Sequence, residues 1–537
     1  MNMKLSSSIS ISPIDVIVLA FAFTVWLSSI CTGSSLNNYY LLPLVFCYFA
    51  FRVLNKTIKS SSEIIVLLVA LYCIYECCLG YYQLFKMLFD KNSSSLLCGT
   101  FLNSGPYGCA LSLCCSLLLP YKYKGNNSVI KTIATICLYA AIVLLPATLC
   151  RTAWISLSIS MFLFAYSNFN KLKTIINKYW YIFLVLFILI IVGLFNFKPT
   201  SANARMFINK VSVQIIRSNS LWGVGPNNYA GAYGEVQHDY FKENLSNQSI
   251  GNNNSSIEKE RMTVDCPDNA FNDYLQIGAE SGLFAMVLFV ALLIVSIVLS
   301  IRNGYIWHYG LITFSIVALF YYPLDLIQII ILLSSLLAMC SKETGKGFLF
   351  QLVVFITLSF FMTHYFIDWK NDRSAEMKWE TTRKWYRNGY YEYVTTDYPE
   401  FFNNLNDNTF YLFEYGRALN KIGSYQKSDS LLSIGTTISS DPMFWNVMGN
   451  NSLALGRYRE AEERYFHAFY MLPNRLYPLY LLAKLYYAEG DTTRFLGMAD
   501  IINTFVPKVE TMNTMDMRIE IKELRLSCVF EENKDDR

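Results

Sequence analysis

The chain has 537 residues, of which 53% are hydrophobic and only 16% are charged, and its formal net charge is +4. Soluble chains carry about 25% charged residues, so this composition argues against a soluble globular protein. The charges form no basic stripe, which argues against nucleic acid as a partner. Residues 1–366 contain long apolar runs, whereas residues 367–537 have the composition of an ordinary polar domain.

Apolar runs long enough to cross a bilayer recur throughout the first part of the chain. The first run is long for a signal peptide, no A-x-A site follows it and it contains Asp15, so we interpret it as an uncleaved helix. The fold-class prediction is an all-α, polytopic membrane domain of about 11 spans over residues 1–366. The spans lie near residues 12–30, 38–54, 63–84, 104–120, 129–149, 151–168, 179–196, 273–300, 305–322, 323–340 and 347–366.

Lysine and arginine in the short loops predict the orientation of these spans. With a cytoplasmic N-terminus, the short outside loops hold only Lys86, Lys91 and Arg151. The long segment 197–272 and the C-terminal domain are then outside. The inside loops hold Arg52, Lys56, Lys59, Lys122, Lys124, Lys131, Lys171, Lys173, Lys178, Arg302, Lys342 and Lys346.

The C-terminal part, residues 367–537, repeats itself. Glycines recur at Gly389, Gly423, Gly456 and Gly490 with spacings of 34, 33 and 34 residues, and three of the units are closed by prolines. A period of 34 residues with L-G-x-Y, then Ala, then Pro is typical of tetratricopeptide repeats. The prediction is an α-α superhelical domain of stacked helix pairs, a type of array that offers a surface to a protein partner.

Two carboxylates stand at the start of the eighth span, in "CPDNAFNDYLQIGAESGLF". Asp273 and Glu280 are seven residues apart, about two helical turns, so they share one face of a helix. Ionisable groups are costly in a membrane and mark functional sites. We expect Asp273 and Glu280 to face the outside aqueous phase or a cavity open to it, with Asp273 nearer the aqueous mouth and Glu280, two turns deeper, bracing the helix packing.

Two arginines are candidates for binding an anion on the outside. Arg151 lies in "PATLCRTAWISL", at the junction of spans five and six. Arg205 begins a stretch, "RMFINKVSVQII", whose apolar pattern predicts an amphipathic helix near the membrane interface. The forked, permanently charged guanidinium group suits phosphate.

Four segments in this order resemble the O-antigen ligase and polymerase superfamily of bacterial inner membranes, which includes protein O-oligosaccharyltransferases. Tetratricopeptide tails also occur in some of its members. We name the segments after their letters: GPYG, "GTFLNSGPYGCAL" (99–111); CRTAW, "LCRTAW" (149–154); WGVG, "SLWGVGPNNY" (220–229); and FNDYL, "FNDYLQIGAESGLFAM" (271–286).

The resemblance implies transfer of a glycan from an undecaprenyl-pyrophosphate carrier, with inversion at the anomeric carbon, to an acceptor hydroxyl on the periplasmic side. The acceptor is lipid A core, another glycan or a protein. The resemblance implies no metal or other cofactor. Arg151 and Arg205 match the arginines that stabilise the leaving pyrophosphate, and Asn272 and Tyr274 are further candidates for binding substrate.

The sequence departs from the family where a histidine is expected to assist the acceptor, because Phe271 stands there. Asp268, Asp273, Glu280 and His238 are the groups left to act as a base, and we expect Asp273 to do so. The missing histidine keeps open a different class of function, a non-catalytic membrane scaffold whose repeats recruit export or envelope-assembly proteins.

Overall fold

A computed structural model describes residues 11–36, 39–89, 97–182, 185–186, 189, 193, 199–246, 255–341 and 348–535. Within these ranges every regular element is helical, which confirms the all-α fold class. The chain divides into two compact units. The first comprises Met1–Pro199, Asn219–Pro226 and Ala270–Phe366, and the second comprises Thr200–Ser218, Asn227–Asn269 and Ile367–Arg537.

The α-helices follow one another in chain order. The first seven are α1 Pro13–Thr32, α2 Leu41–Thr57, α3 Ser61–Phe89, α4 Ser104–Lys124, α5 Ser128–Leu144, α6 Arg151–Asn168 and α7 Asn170–Lys178. The next seven are α8 Pro199–Ser218, α9 Tyr229–Ser246, α10 Ser255–Thr263, α11 Asp273–Arg302, α12 His308–Ala318, α13 Ile327–Cys340 and α14 Phe348–Arg387. The last nine are α15 Tyr391–Asp397, α16 Phe402–Leu405, α17 Thr409–Lys421, α18 Tyr425–Ile438, α19 Met443–Ala454, α20 Tyr458–Met471, α21 Tyr477–Glu489, α22 Thr492–Thr504 and α23 Met512–Asp535.

The first unit is a bundle of apolar helices, as a multi-pass membrane protein requires. Five helical segments of the described chain are long and apolar enough to cross a membrane: Pro13–Thr32, Ser61–Phe89, Ser128–Thr148, Asp273–Arg302 and Phe348–Arg387. Each predicted span overlaps an α-helix, except 179–196. Most of that span lies outside the described residues. The exact number of spans stays a prediction.

Helices α12 and α13 are shorter than the two spans predicted at 305–322 and 323–340. They have 11 and 14 residues, and at about 1.5 Å per residue neither crosses the roughly 30 Å of a bilayer core. Pro323 explains the interruption, because a proline disfavours helical geometry at the residue before it. Residues 319–326 therefore form a connection without α-helix, which contains one 3-10 turn at Pro323–Asp325. At membrane depth such backbone needs enclosure by protein or a water-filled cavity.

Asp15, which is unusual in an apolar run, is part of a buried polar cluster. Its carboxylate accepts hydrogen bonds from the Tyr48 hydroxyl (2.6 Å), the Arg52 Nε (3.1 Å) and the Gln351 amide (3.2 Å). The side chains of Asp15 and Arg52 are 0% and 4% exposed. Pairing offsets the cost of burying each charge, so the cluster joins α1, α2 and α14.

In the second unit, helix pairs follow the glycine repeat. Gly423 separates α17 from α18, Gly456 separates α19 from α20, and Gly490 separates α21 from α22. These glycines have φ angles of 82°, 71° and 78°, a left-handed conformation that ends helices and that glycine adopts without strain. The paired helices are those that the repeat pattern predicts, and the tetratricopeptide assignment itself stays a prediction.

The long segment 197–272 contributes three helices, α8, α9 and α10, to this second unit. On α8, Phe207 stacks on Phe241 of α9 at 5.7 Å between ring centroids, and Ser212 is hydrogen-bonded to the Tyr229 hydroxyl. Helix α9 packs in turn against α18 and α20. The expectation of an interfacial α8 is therefore wrong for Phe207, Val211 and Ile215, because protein covers these residues.

Candidate active site

Asn272 begins α11, and the chain turns sharply before it. The Asn272 side-chain oxygen accepts hydrogen bonds from the backbone N–H groups of Tyr274 (3.1 Å) and Leu275 (3.2 Å), as a helix N-cap does. Phe271 has a φ of 50°, which is uncommon for a bulky residue. Backbone strain of this kind clusters at functional sites. The backbone turn is thus strained at the position where the family pattern has histidine.

The two residues expected to bind substrate are engaged in local structure. Besides the Asn272 cap, the Tyr274 hydroxyl donates a hydrogen bond to the Ser315 carbonyl oxygen of α12 at 3.0 Å. Asn272 is 9% exposed. These contacts position the start of α11, and a role in substrate binding stays a prediction for both residues.

Asp273, the expected base, is only 3% exposed. One carboxylate oxygen accepts a hydrogen bond from the backbone N–H of Leu324 at 3.2 Å. Leu324 lies in the short 3-10 turn Pro323–Asp325 between α12 and α13. The expectation that Asp273 faces the aqueous phase is therefore not met, because its carboxylate is turned into this contact.

Asp325, which the sequence reading overlooked, is an exposed carboxylate in the same turn. It is close enough to Asp273 for the two carboxylates to interact electrostatically. The reading missed it because the whole stretch was counted as part of an apolar span. One signal was available, since Asp325 is the only charged residue in the sequence 309–340, and such a residue in a membrane segment indicates function.

Glu280 lies deeper and makes contacts suited to a brace. It is 2% exposed, and its carboxylate accepts hydrogen bonds from the Tyr39 hydroxyl at 2.8 Å and the Gln276 amide at 3.4 Å. The Tyr39 and Tyr40 rings pack together with their centroids 4.2 Å apart. Glu280 thereby ties α11 to the residues that lead into α2.

The WGVG segment is joined to the FNDYL segment through backbone groups. The N–H groups of Val224 and Gly225 donate to the carbonyl oxygens of Ala279 and Glu280, each at 2.9 Å. In return, the Leu283 N–H donates to the Ser220 carbonyl, also at 2.9 Å. This pairing explains Gly223 and Gly282, because a Cβ on either glycine would lie within 2.4 Å of the backbone of the other segment.

Gly282 is the tightest point of this approach, so we expect Gly282→Ala to prevent normal folding of the first unit. Its φ of 86° and ψ of 166° fall in a region that essentially only glycine occupies. A Cβ there would also lie 2.1 Å from the Leu221 carbonyl oxygen. The yield of monodisperse protein in detergent and its melting temperature measure the effect.

Gly33→Ala is the matched control for Gly282→Ala. Gly33 also has a left-handed φ, of 67°, but nothing lies within 4 Å of its Cβ position. It should lose only about 1–2 kcal/mol from backbone strain. If both variants were equally stable, the close approach of the two segments would be contradicted.

Arg151 occupies the first residue of α6, where a cation is poorly placed. The N-terminus of a helix carries a partial positive charge, so a cation there is disfavoured and an anion is favoured. Leu149 before it has a φ of 52°, and the cap residue Cys150 makes no side-chain hydrogen bond to the first turn. A cation beside helix N–H groups is the arrangement that binds phosphate groups.

The GPYG segment connects the CRTAW segment to the loop of Asp325. A Cβ on Gly108 would lie 2.8 Å from the Cys150 Cβ, and a Cβ on Gly105 would lie 2.2 Å from the Tyr321 hydroxyl. That hydroxyl donates to the Asn103 side-chain oxygen at 3.0 Å. GPYG therefore contacts both Cys150, the residue before Arg151, and Tyr321 of the 319–326 connection.

Aromatic side chains surround Phe271 in place of a proton-transferring group. The Phe271 ring meets the rings of Tyr321 and Tyr322 edge to face, with centroids 6.2 and 5.5 Å apart. Tyr321 is buried and its ring stacks on that of Tyr322. The side chain at position 271 therefore packs among aromatic rings and cannot itself transfer a proton.

The remaining site candidates lie in the second unit. Arg205 is half-buried on α8, Asp268 follows α10, and His238 lies on α9. The His238 ring stacks on His467 of α20. A catalytic role for Arg205 stays a prediction from the motif pattern. Catalytic roles for Asp268 and His238 stay predictions as well.

The first unit therefore defines a polytopic helical membrane protein in which the GPYG, CRTAW, WGVG and FNDYL segments and the 319–326 connection are linked by close contacts. Residues 136–290 match a family model described as O-antigen ligase, which includes the CRTAW, WGVG and FNDYL segments. The match confirms the resemblance to the O-antigen ligase superfamily over this part of the chain and supports, at the level of the family, a membrane glycan ligase or polymerase. The match does not reach the GPYG segment or the repeats. No curated protein matches the chain.

Proposed function

We propose that this protein transfers a glycan from an undecaprenyl-pyrophosphate carrier to an acceptor hydroxyl on the periplasmic side of the bacterial inner membrane. The observation that carries the proposal is the convergence of the four segments within the first unit. Contacts of GPYG with CRTAW and with the 319–326 connection, and of WGVG with FNDYL, support a common site for Arg151 and the carboxylates.

The chemistry is a single displacement at the anomeric carbon. The acceptor oxygen forms a bond to that carbon while the bond to the pyrophosphate oxygen breaks, which inverts the configuration. Negative charge grows on the leaving pyrophosphate, where Arg151 and the N-terminus of α6 stabilise it. Arg205 is proposed as a second such group on the motif pattern alone.

The acceptor proton passes to a carboxylate. Asp325 suits this step better than Asp273, because Asp325 is exposed, whereas Asp273 is only 3% exposed and one of its oxygens accepts the Leu324 N–H. A base has to come within hydrogen-bond reach of the proton that it removes. We therefore assign Asp325 as the base, with Asp273 as a positioning residue for its turn. The repeats favour a protein as the acceptor, since such arrays bind polypeptides.

Transfer by the purified protein tests the proposal. The full chain in liposomes is mixed with an undecaprenyl-pyrophosphate-linked glycan and, in parallel, with lipid A core, free glycan or unfolded envelope protein. Glycan that leaves the carrier and joins one acceptor supports the proposal. Absence of turnover with every acceptor, together with capture of envelope proteins by the repeats, would favour the scaffold.

The predicted topology is tested by reporter fusions. A reporter after Arg537 should be active only outside the cytoplasm, and one after Lys173 should be active only inside, because the Lys/Arg asymmetry places these points on opposite sides. Alkaline phosphatase and green fluorescent protein give opposite readouts at each point. A cytoplasmic signal after Arg537 would contradict the span count and place the repeats inside.

A further inference from the structure

Two histidines and a glutamate meet in the second unit, away from the carboxylates described above. Glu235 and His238 lie one turn apart on α9, and His467 lies on α20. One ligand atom from each of the three lies within 4.8 Å of the others. The Glu235 carboxylate and the His467 Nε2 are 3.1 Å apart, although 232 residues separate them in sequence. We propose that this cluster binds a divalent transition-metal ion, with Zn²⁺ as the best-suited ion.

The ligand types select the kind of metal. Imidazole nitrogen suits zinc and its neighbours in the first transition row, whereas magnesium and calcium prefer oxygen ligands only. Zinc sites with two histidines, one carboxylate and an open fourth position are well known. In such a site the ligand atoms stand about 3.3 Å apart, given bonds of about 2.0–2.1 Å. The Glu235–His467 pair at 3.1 Å already meets that spacing, and His238 has to approach by up to about 1.5 Å from the 4.8 Å limit.

The surroundings hold both imidazoles in place. The Nδ1 of His238 is hydrogen-bonded to the Asp239 carboxylate at 2.9 Å, which leaves Nε2 for a metal. A carboxylate on the second nitrogen is the usual partner of a metal-binding histidine. The His467 ring is packed between His238 and Trp445, with centroid distances of 3.9 and 3.8 Å.

The rings of His238 and His467 limit how both nitrogens can reach one ion. The two rings are nearly parallel, at 14°, so they have to tilt apart for both nitrogens to face one ion.

A bound ion would fasten the outside segment to the repeats. Glu235 and His238 belong to α9, against which the apolar face of α8 packs, whereas His467 belongs to one of the repeat helices. An ion shared by α9 and α20 closes a long loop of the chain, and a cross-link of that kind stabilises the folded state. The ion thus has a structural role, as a cross-link between α9 and α20, and takes no part in the transfer reaction.

Zinc binding by the purified full chain tests the inference. The protein, without a polyhistidine tag, is stripped with a chelator in detergent and titrated with Zn²⁺ against a chromogenic zinc indicator. We expect one tightly bound zinc per chain and a higher melting temperature. His467→Gln and Glu235→Gln should each weaken binding by at least about 100-fold, and Asp239→Asn by about 10–100-fold.

His364→Gln is the matched control, because His364 is exposed and lies outside the cluster. It should bind zinc as the unmodified chain does. Glu235 is 47% exposed at its side chain, so its substitution leaves the fold intact even if His467→Gln does not. An unmodified chain that binds no zinc at micromolar concentration would overturn the inference. Binding that is equal in the unmodified chain, Glu235→Gln and His364→Gln would overturn it as well.

Discussion

Arg151→Lys is expected to lower glycan transfer by on the order of 10²–10³ while the protein still folds, since that is the typical cost of losing one charge-stabilising donor. Lysine keeps the positive charge at the start of α6 but loses the forked geometry that matches phosphate oxygens. The measurement is the single-turnover rate with lipid-linked glycan, at saturating acceptor. Arg151→Ala should be at least as impaired.

The controls separate catalysis from folding. The melting temperature and the yield of monodisperse protein are measured beside the rate for each Arg151 variant, so that a loss of transfer is separated from a loss of fold. Arg217→Lys provides a matched substitution, because Arg217 is an exposed arginine at the last turn of α8. Normal transfer by a well-folded Arg151→Ala protein would refute the proposed role of Arg151.

The membrane helices were accessible from sequence because a bilayer imposes a simple rule. An apolar stretch has to satisfy its backbone hydrogen bonds internally, so long apolar runs become helices. The glycine repeat of the C-terminal part is also a local sequence pattern, and the structure has helix pairs at the positions that the repeat predicts. The prediction of spans was wrong where single residues interrupt an apolar run, as Pro323 and Asp325 do between α12 and α13.

The candidate site was less accessible, because its geometry depends on contacts between distant segments. Sequence order placed Asp273 at the mouth of a helix, but only the fold shows that the Leu324 N–H occupies its carboxylate. The amphipathic pattern of α8 fitted a membrane surface and a protein surface equally well. His238 and His467 have no metal-ligand spacing in sequence, and they meet only because α9 packs against α20.

Asp325→Asn is expected to produce the second large effect, a loss of transfer of about 10²–10⁴-fold, as removal of a general base does. The amide resembles the carboxylate in shape and cannot take the acceptor proton. The unmodified protein should show a rate that rises with pH as the base loses its proton, and this rise should vanish in Asp325→Asn. The rate of transfer against pH, with protein level and melting temperature, is the measurement.

Two further substitutions distinguish the neighbouring carboxylates. In Asp273→Asn the amide oxygen still accepts the Leu324 N–H, so we expect a smaller loss of rate and an unchanged rise with pH. Glu280→Gln should lower the folded yield, because Glu280 joins α11 to Tyr39. If Asp273→Asn abolished the rise with pH while Asp325→Asn left it intact, Asp273 would be the base, as its place in the motif first suggested. If neither substitution changed the profile, no carboxylate of this turn would act as the base, and the acceptor would react through positioning and the arginine-stabilised leaving group.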